Sequence, residues 1–284
     1  MQRLQIYQSL WAMELRRPDG KERSLEESFA MVAEAGFDGM AIDLGVADLA
    51  TVEKARPLLE RHRLGCFLTA FPKSVAGLEP VLLKAKELGA PFVNVIGQVM
   101  PVSLEGMIPV IRSWIEMADR VGVKVLFETH RNCITNDLLV TLQLIDAIPE
   151  MKLAADLSHY VVGRELAWPI SAESEEYVRR ILRRAEAFQG RVASRQQIQL
   201  PLGFPQHRKW VDLFLRWWEA GFRDWRARSP ADATLNFLCE LGPPEYAMTG
   251  ADGYELSDRW QESLQLRGHA RAIWAKLEGE AATA

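Results

Sequence analysis

The sequence has no run of 18 or more apolar residues, which removes a membrane-spanning helix. It contains no GxGxxG and no GxxxxGK[ST], so nothing marks a dinucleotide-binding fold or a phosphate-gripping loop. Positive charge is short: 34 Lys and Arg stand against 38 Asp and Glu, a net charge of −4 that argues against general nucleic-acid or anionic-membrane binding. Cysteine is scarce and odd in number. Cys66, Cys133 and Cys239 each sit beside an apolar run with no CxxC spacing, which predicts reduced, buried thiols in a cytoplasmic protein. The opening "MQRLQIYQSLW" lacks the apolar core and small-residue cleavage site of a signal peptide. No Gly/Ser/Pro-rich linker divides the chain, so residues 1–284 are expected to form one domain.

What is present is alternation. Short apolar runs of strand length are followed by longer segments of helical period. The runs are "QIYQSLW" (5–11), "GFDGMAIDL" (36–44), "LGCFLTAF" (64–71), "PFVNVIG" (91–97), "KVLFET" (124–129), "KLAAD" (152–156), the short "FQGRVAS" (188–194) and "TLNFLCEL" (234–241). Helices are predicted from a Ser24/Glu27 capping box to Gly36, then near 48–62, 74–89, 103–121, 137–148, 174–187, 205–227 and 257–277. Eight strand-then-helix units predict a parallel sheet, and at this length a single (β/α)8 TIM barrel in the α/β class.

A barrel of this kind places its site at the C-terminal strand ends. Strand five ends in Glu128 and His130, and strand six in Asp156 with His159 three residues on. Strand seven carries Gln189 and Arg191, and strand eight ends in Glu240. Consecutive strands are neighbours, so these groups form one arc. Asp43 ends strand two and Trp11 sits at or just past strand one. Carboxylates crowded together repel unless a cation holds them. Glu, Asp, Gln and Glu would make an oxygen cage for a hard divalent ion. Each alone has a plainer reading, as helix N-cap, turn residue or partner of Arg131 or Arg191.

Here "FETHRN", "ADLSHY" and "CELGPPEY" resemble the metal-site strands of the xylose isomerase-like TIM barrels. That superfamily holds sugar isomerases and epimerases, hydroxypyruvate isomerase, inosose dehydratase and endonuclease IV. The resemblance spans most of the chain and is specific over 124–246. It implies one divalent metal bound by Glu128, Asp156, the strand-seven residue and Glu240, with His159 facing substrate. Many relatives read His-x-Arg on strand seven. This chain has Gln189 in the His position, as hydroxypyruvate isomerase has a Gln ligand. An amide oxygen favours Mn²⁺ or Mg²⁺, with Zn²⁺ or Co²⁺ next.

The resemblance implies metal-assisted 1,2-isomerisation or C3-epimerisation of a sugar or small keto-polyol. Glu128 and Glu240 would exchange the proton, and His159, Arg191, His130 and Trp11 would face the substrate. An inosose dehydratase-like lyase and a non-catalytic sugar-binding barrel are the alternatives. The five histidines are too few for the three-zinc nuclease. The helix with Trp210, Trp217, Trp218 and Trp225 is expected to pack on the barrel or to form a subunit interface, and a homo-oligomer is expected. "VRRILRRAEA" reads as a solvated face on which Glu175 and Glu176 pair with Arg179 and Arg180.

Overall fold

The computed structural model describes residues 1–283. Among them eight parallel strands close into a barrel in chain order. They are β1 (Arg3–Ser9), β2 (Gly39–Asp43), β3 (Gly65–Ala70), β4 (Val93–Val95), β5 (Val125–Glu128), β6 (Leu153–Ala155), β7 (Ala185–Gly190) and β8 (Thr234–Cys239). The helices are α1 (Leu25–Glu34), α2 (Leu49–His62), α3 (Glu79–Glu87), α4 (Leu104–Val121), α5 (Leu138–Ala147), α6 (Leu157–Gly163), α7 (Ala172–Leu182), α8 (Arg208–Arg228) and α9 (Arg259–Thr283). The expected (β/α)8 TIM barrel is therefore the fold. None of the described helices is long and apolar enough to cross a membrane.

Local chemistry starts and stops the helices where the sequence suggests. The Glu27 amide donates to Ser24 Oγ at 3.2 Å, and the Ser24 amide donates to the Glu27 carboxylate at 2.7 Å. Gly122, at φ 80°, ends α4. Closure is made by β1 and β8, which pair over six residues from Arg3–Thr234 to Gln8–Cys239.

The barrel lumen is filled by Tyr7, Ala41, Phe67, Phe92, Leu126, Ala154, Ala187 and Leu238. Side chains alternate between lumen and helix layer along each strand. So the residue two positions after each plug residue also faces inward, one layer nearer the strand ends. Those eight are Ser9, Asp43, Thr69, Asn94, Glu128, Asp156, Gln189 and Glu240. An apolar plug thus carries a polar ring. Small and large residues interlock in the plug: a Cβ added to Gly39 would lie 2.2 Å from the Tyr7 ring.

The structure departs from the expectations at β7, α6 and α7. The seventh strand is Ala185–Gly190 rather than 188–194, and α7 stops at Leu182 rather than running to 187. "AEA" favours a helix in isolation, but pairing of Ala187 with Asn236 on β8 overrides that preference. A short extra helix, α6, intervenes right after β6 and lies outside the predicted elements. The tryptophans of α8 are buried in the chain's own core, Trp218 and Trp225 at 0% and 2% exposure, as expected of a helix packed on the barrel. Trp217 and Trp225 donate to Glu175 and Glu186. The α7 face is salt-bridged, but with other partners: Arg179 pairs with Glu176, Arg180 with Asp146, and Glu175 with Arg216.

At the top of the barrel Arg259, the first residue of α9, ties both ends of the sheet together. Its guanidinium donates to the carbonyls of Ala12, of Glu14 at 2.6 Å and of Leu241 at 3.3 Å, and pairs with Glu255.

Candidate metal centre and active site

Glu128, Asp156 and Glu240 end β5, β6 and β8, or follow them by one residue, and all point into the lumen. They present one carboxylate oxygen each, all within 4.8 Å of one another. All three are buried, at 0%, 0% and 5% exposure. Burial, then the charges of Glu240 and Asp156, push the Glu128 carboxyl well above its usual range. Burial pushes Glu240 up to about 8, against the opposing pull of Arg191. Asp156 is also raised by burial.

Arg191 is the one cation inside this cluster. It faces the site because it lies two residues beyond Gln189. Its Nη2 is 2.9 Å from Glu240 Oε2 and its Nη1 3.3 Å from Asp156 Oδ2, while Nε donates to the Glu240 carbonyl at 3.0 Å. Burial alone would lower its pKa, but the Asp156 and Glu240 charges outweigh that and raise it. One guanidinium against three carboxyl groups leaves the cluster short of positive charge. Glu128 Oε1 and Gln189 Oε1 are buried without a hydrogen-bond donor, while Asp156 Oδ2 and Glu240 Oε2 share the single Arg191 guanidinium. Orphaned buried acceptors are costly and rare, and a cation among them would satisfy several at once. The residues present therefore fit a hard divalent ion.

Gln189 is 2% exposed. Its side chain lines a cavity of about 10 Å³, roughly one water in size, together with Asn94 and Asn236 over the apolar plug. Asn94 was not foreseen as a site residue. Its amide donates to Glu128 Oε2, and it lies 3.4 Å from Thr69 Oγ1. The alternation of the lumen would have revealed it, because Asn94 follows Phe92 as Glu128 follows Leu126.

His159, in the first turn of α6, is 2% exposed with Nε2 3.5 Å from Asp156 Oδ2. His130 stands beside it, the two rings 4.0 Å apart. Burial lowers both, His130 to about 4, so both imidazoles are neutral at neutral pH. Trp11 sits in a 3-10 turn just past β1, with its ring edge-on to Tyr246 at 5.1 Å. Tyr246, a second unforeseen member, lies between Arg191 and Arg131, whose guanidinium carbons are 4.8 and 5.0 Å from its ring. A cavity of about 270 Å³ opens beside Trp11, lined also by Glu14 and Asp43. Burial raises Asp43 to about 6. His207 lies outside this group: it is buried and its Nδ1 donates to the Pro201 carbonyl at 2.8 Å. All three cysteines are buried and unpaired.

No family model and no curated protein matches the chain by sequence. Solved structures do match in shape. An L-ribulose 3-epimerase superposes with TM-score 0.60 at 17% identity, covering 99% of this chain and 98% of the other. A xylose isomerase-like TIM barrel protein from Mycobacterium smegmatis, in complex with magnesium, gives 0.59 at 16% identity over 95% and 97%. A probable 3-DHS dehydratase of petrobactin synthesis from Bacillus anthracis gives 0.53 at 15% over 82% and 92%. At these identities the likeness is one of architecture, and the chain has the fold of the xylose isomerase-like TIM barrels.

Proposed function

We propose that this protein is a divalent-metal-dependent isomerase or epimerase acting on a sugar or small keto-polyol. The observation that supports it most directly is the cluster of Glu128, Asp156 and Glu240 at the strand ends, three buried carboxyl groups with one guanidinium among them and Glu128 Oε1 unpartnered. Epimerases and a magnesium-bound protein share the fold. Glu128, Asp156 and Glu240, with Gln189 on the strand between the last two, would hold Mn²⁺ or Mg²⁺. When bound, such an ion would polarise a hydroxy-ketone carbonyl and lower the proton affinity of the carboxyl groups around it.

The chain's own groups handle the proton. One carboxylate oxygen, on Glu128 or Glu240, takes the proton from the carbon beside the carbonyl. The other carboxyl returns one to the opposite face, or to the neighbouring carbon. Their burial suits both halves, since a carboxyl whose pKa is raised toward neutrality can accept and release a proton at working pH. Asn94 holds Glu128 in orientation through Oε2, leaving Oε1 to face substrate. Arg191 lies against Asp156 and Glu240 and His159 against Asp156, where both would meet substrate oxygens and steady the charge of an enediolate. Trp11 and Tyr246 pack edge-on beside Arg191 and would wall the site.

The shared fold with a dehydratase keeps a second reading in view, in which the same proton abstraction is followed by expulsion of hydroxide. One experiment separates them. EDTA-stripped protein, with and without Mn²⁺, is incubated in D₂O with a panel of ketoses and aldoses. Epimerisation gives a product of unchanged formula carrying deuterium at the inverted or adjacent carbon. Dehydration gives a product lighter by one water. Glu128→Gln should lower the rate by about 10²–10⁴-fold. Turnover without solvent deuterium would refute proton transfer by this pair, and metal-independent turnover would refute the role of the ion.

A further inference from the structure

A second group of donor atoms meets the first at a single residue. Glu128, His130 and His159 offer one ligand atom each, all within 4.8 Å of one another. The two rings reach the same place from different elements. His130 lies two residues past Glu128, where the chain leaves β5. His159 stands three residues past Asp156, in the first turn of α6. Their centroids are 4.0 Å apart, with the ring planes inclined at 48°.

Each ring already has one nitrogen engaged and the other free. His130 Nδ1–H donates to the Arg131 carbonyl, which fixes the tautomer and leaves the lone pair on Nε2. His159 Nε2 is 3.5 Å from Asp156 Oδ2, while its Nδ1 is buried with no partner. His130, held by a carbonyl at Nδ1 with Nε2 bare, has the arrangement of metal-bound histidines. Arg191 Nη1 donates to His159 Nε2 at 3.4 Å, so Nδ1 carries the ring proton, and a cation there requires its transfer to Nε2, which faces Asp156 Oδ2 at 3.5 Å.

The two donor sets differ in chemistry. Three carboxylates suit Mg²⁺ or Mn²⁺, whereas two imidazoles and one carboxylate suit Zn²⁺ or Co²⁺. They also contend for one atom. Glu128 Oε2 accepts from Asn94, so Oε1 is its only free oxygen. Tetrahedral zinc with bonds of about 2.1 Å places its donors roughly 3.4 Å apart. The three donors, within 4.8 Å of one another, would have to draw together by up to about 1.4 Å to hold the ion.

We propose that Glu128, His130 and His159 form a second, softer cation site that binds Zn²⁺ or Co²⁺ and excludes Mn²⁺ from the three-carboxylate site by capturing Glu128. This rests on the donor atoms alone and does not depend on which substrate the protein turns over. It makes zinc a competitor of the hard ion and of any substrate oxygen held by the two histidines.

The test uses the full chain, stripped with EDTA and loaded with Zn²⁺, Co²⁺ or Mn²⁺, with bound metal counted after gel filtration. The expected result is one ion per chain with either metal, and still one when both are supplied. Zinc-edge X-ray absorption should show two imidazole ligands. His130→Ala should weaken Zn²⁺ and Co²⁺ by at least about tenfold and leave Mn²⁺ within about twofold. Glu240→Gln should do the reverse. His130→Gln, with circular dichroism as a folding control, replaces the alanine variant if that one is unstable. Two ions per chain in the mixed load would overturn the competition. An all-oxygen zinc shell, or equal loss of both metals in the His130 variants, would overturn the site. Absence of sugar turnover would leave these readouts unchanged, so failure of the enzymatic reading is distinguishable from failure of this one.

Discussion

Raising the pH should destabilise the metal-free protein, in the direction opposite to that of a salt-bridged carboxylate. Glu240 has its pKa pushed from 4.5 to about 8 in the folded chain. Between those values the folded state binds a proton that the unfolded state has released, so stability falls as pH rises. The slope approaches 1.4 kcal/mol per pH unit for one such group. From pH 5 to pH 8 this amounts to about 3 kcal/mol for Glu240 alone. Glu128, Asp156 and Asp43 act in the same direction, because burial raises each of them. For a chain of this size 1 kcal/mol moves Tm by about 2–4 °C, so a fall of at least about 6 °C is expected. Mn²⁺ at about 100 times its Kd should restore about 2.7 kcal/mol, with more effect at pH 8 because its ligands must be deprotonated. The assay is calorimetry of EDTA-treated protein at intervals from pH 5 to pH 8, repeated with Mn²⁺. Glu240→Gln serves as the control, and its metal-free profile should be flatter by about one group's share. A metal-free Tm that holds level or rises across this range would refute the reasoning. So would a Glu240→Gln profile as steep as the parent's.

Two further substitutions probe the ring and the plug beneath it. Gln189→His exchanges an amide oxygen for imidazole, so Zn²⁺ or Co²⁺ should bind more tightly by calorimetric titration, with part of the turnover retained. Gly39→Ala drives a methyl group to within 2.2 Å of the Tyr7 ring and 2.6 Å of the Gly65 carbonyl, and should cost about 1–3 kcal/mol in denaturant unfolding.

The barrel was legible in the sequence because its strands are short apolar runs set apart by helical periods, a signal that survives without tertiary information. Glu128, Asp156 and Glu240 were legible as carboxylates at the ends of such runs, and the structure brings all three together. β7 was displaced because "AEAFQG" owes its strand state to pairing with β8, which local composition does not encode. α6 was invisible because Asp156 caps it through Ser158 at 2.9 Å while also ending β6, so one residue serves two elements. Glu175 illustrates the limit of helical spacing. It has a basic residue four positions on, yet its carboxylate turns to Arg216 and Trp217 on α8. Asn94 needed the identity of the plug beneath it before its inward direction could be read.

The pairing of β1 with β8 has a consequence for how the chain is made. During synthesis the first strand leaves the ribosome long before its partner, and residues 3–8 cannot be hydrogen-bonded on that side until 234–239 appear. For most of translation the growing sheet therefore presents two unprotected edges, which are templates for pairing with other chains. The carboxylates of β5 and β6 likewise wait for Arg191 and the last strand. A nascent chain stalled before Thr234 should be a substrate for chaperones and proteases rather than a smaller closed barrel, and quality control over this protein would act chiefly in the final stretch of its synthesis.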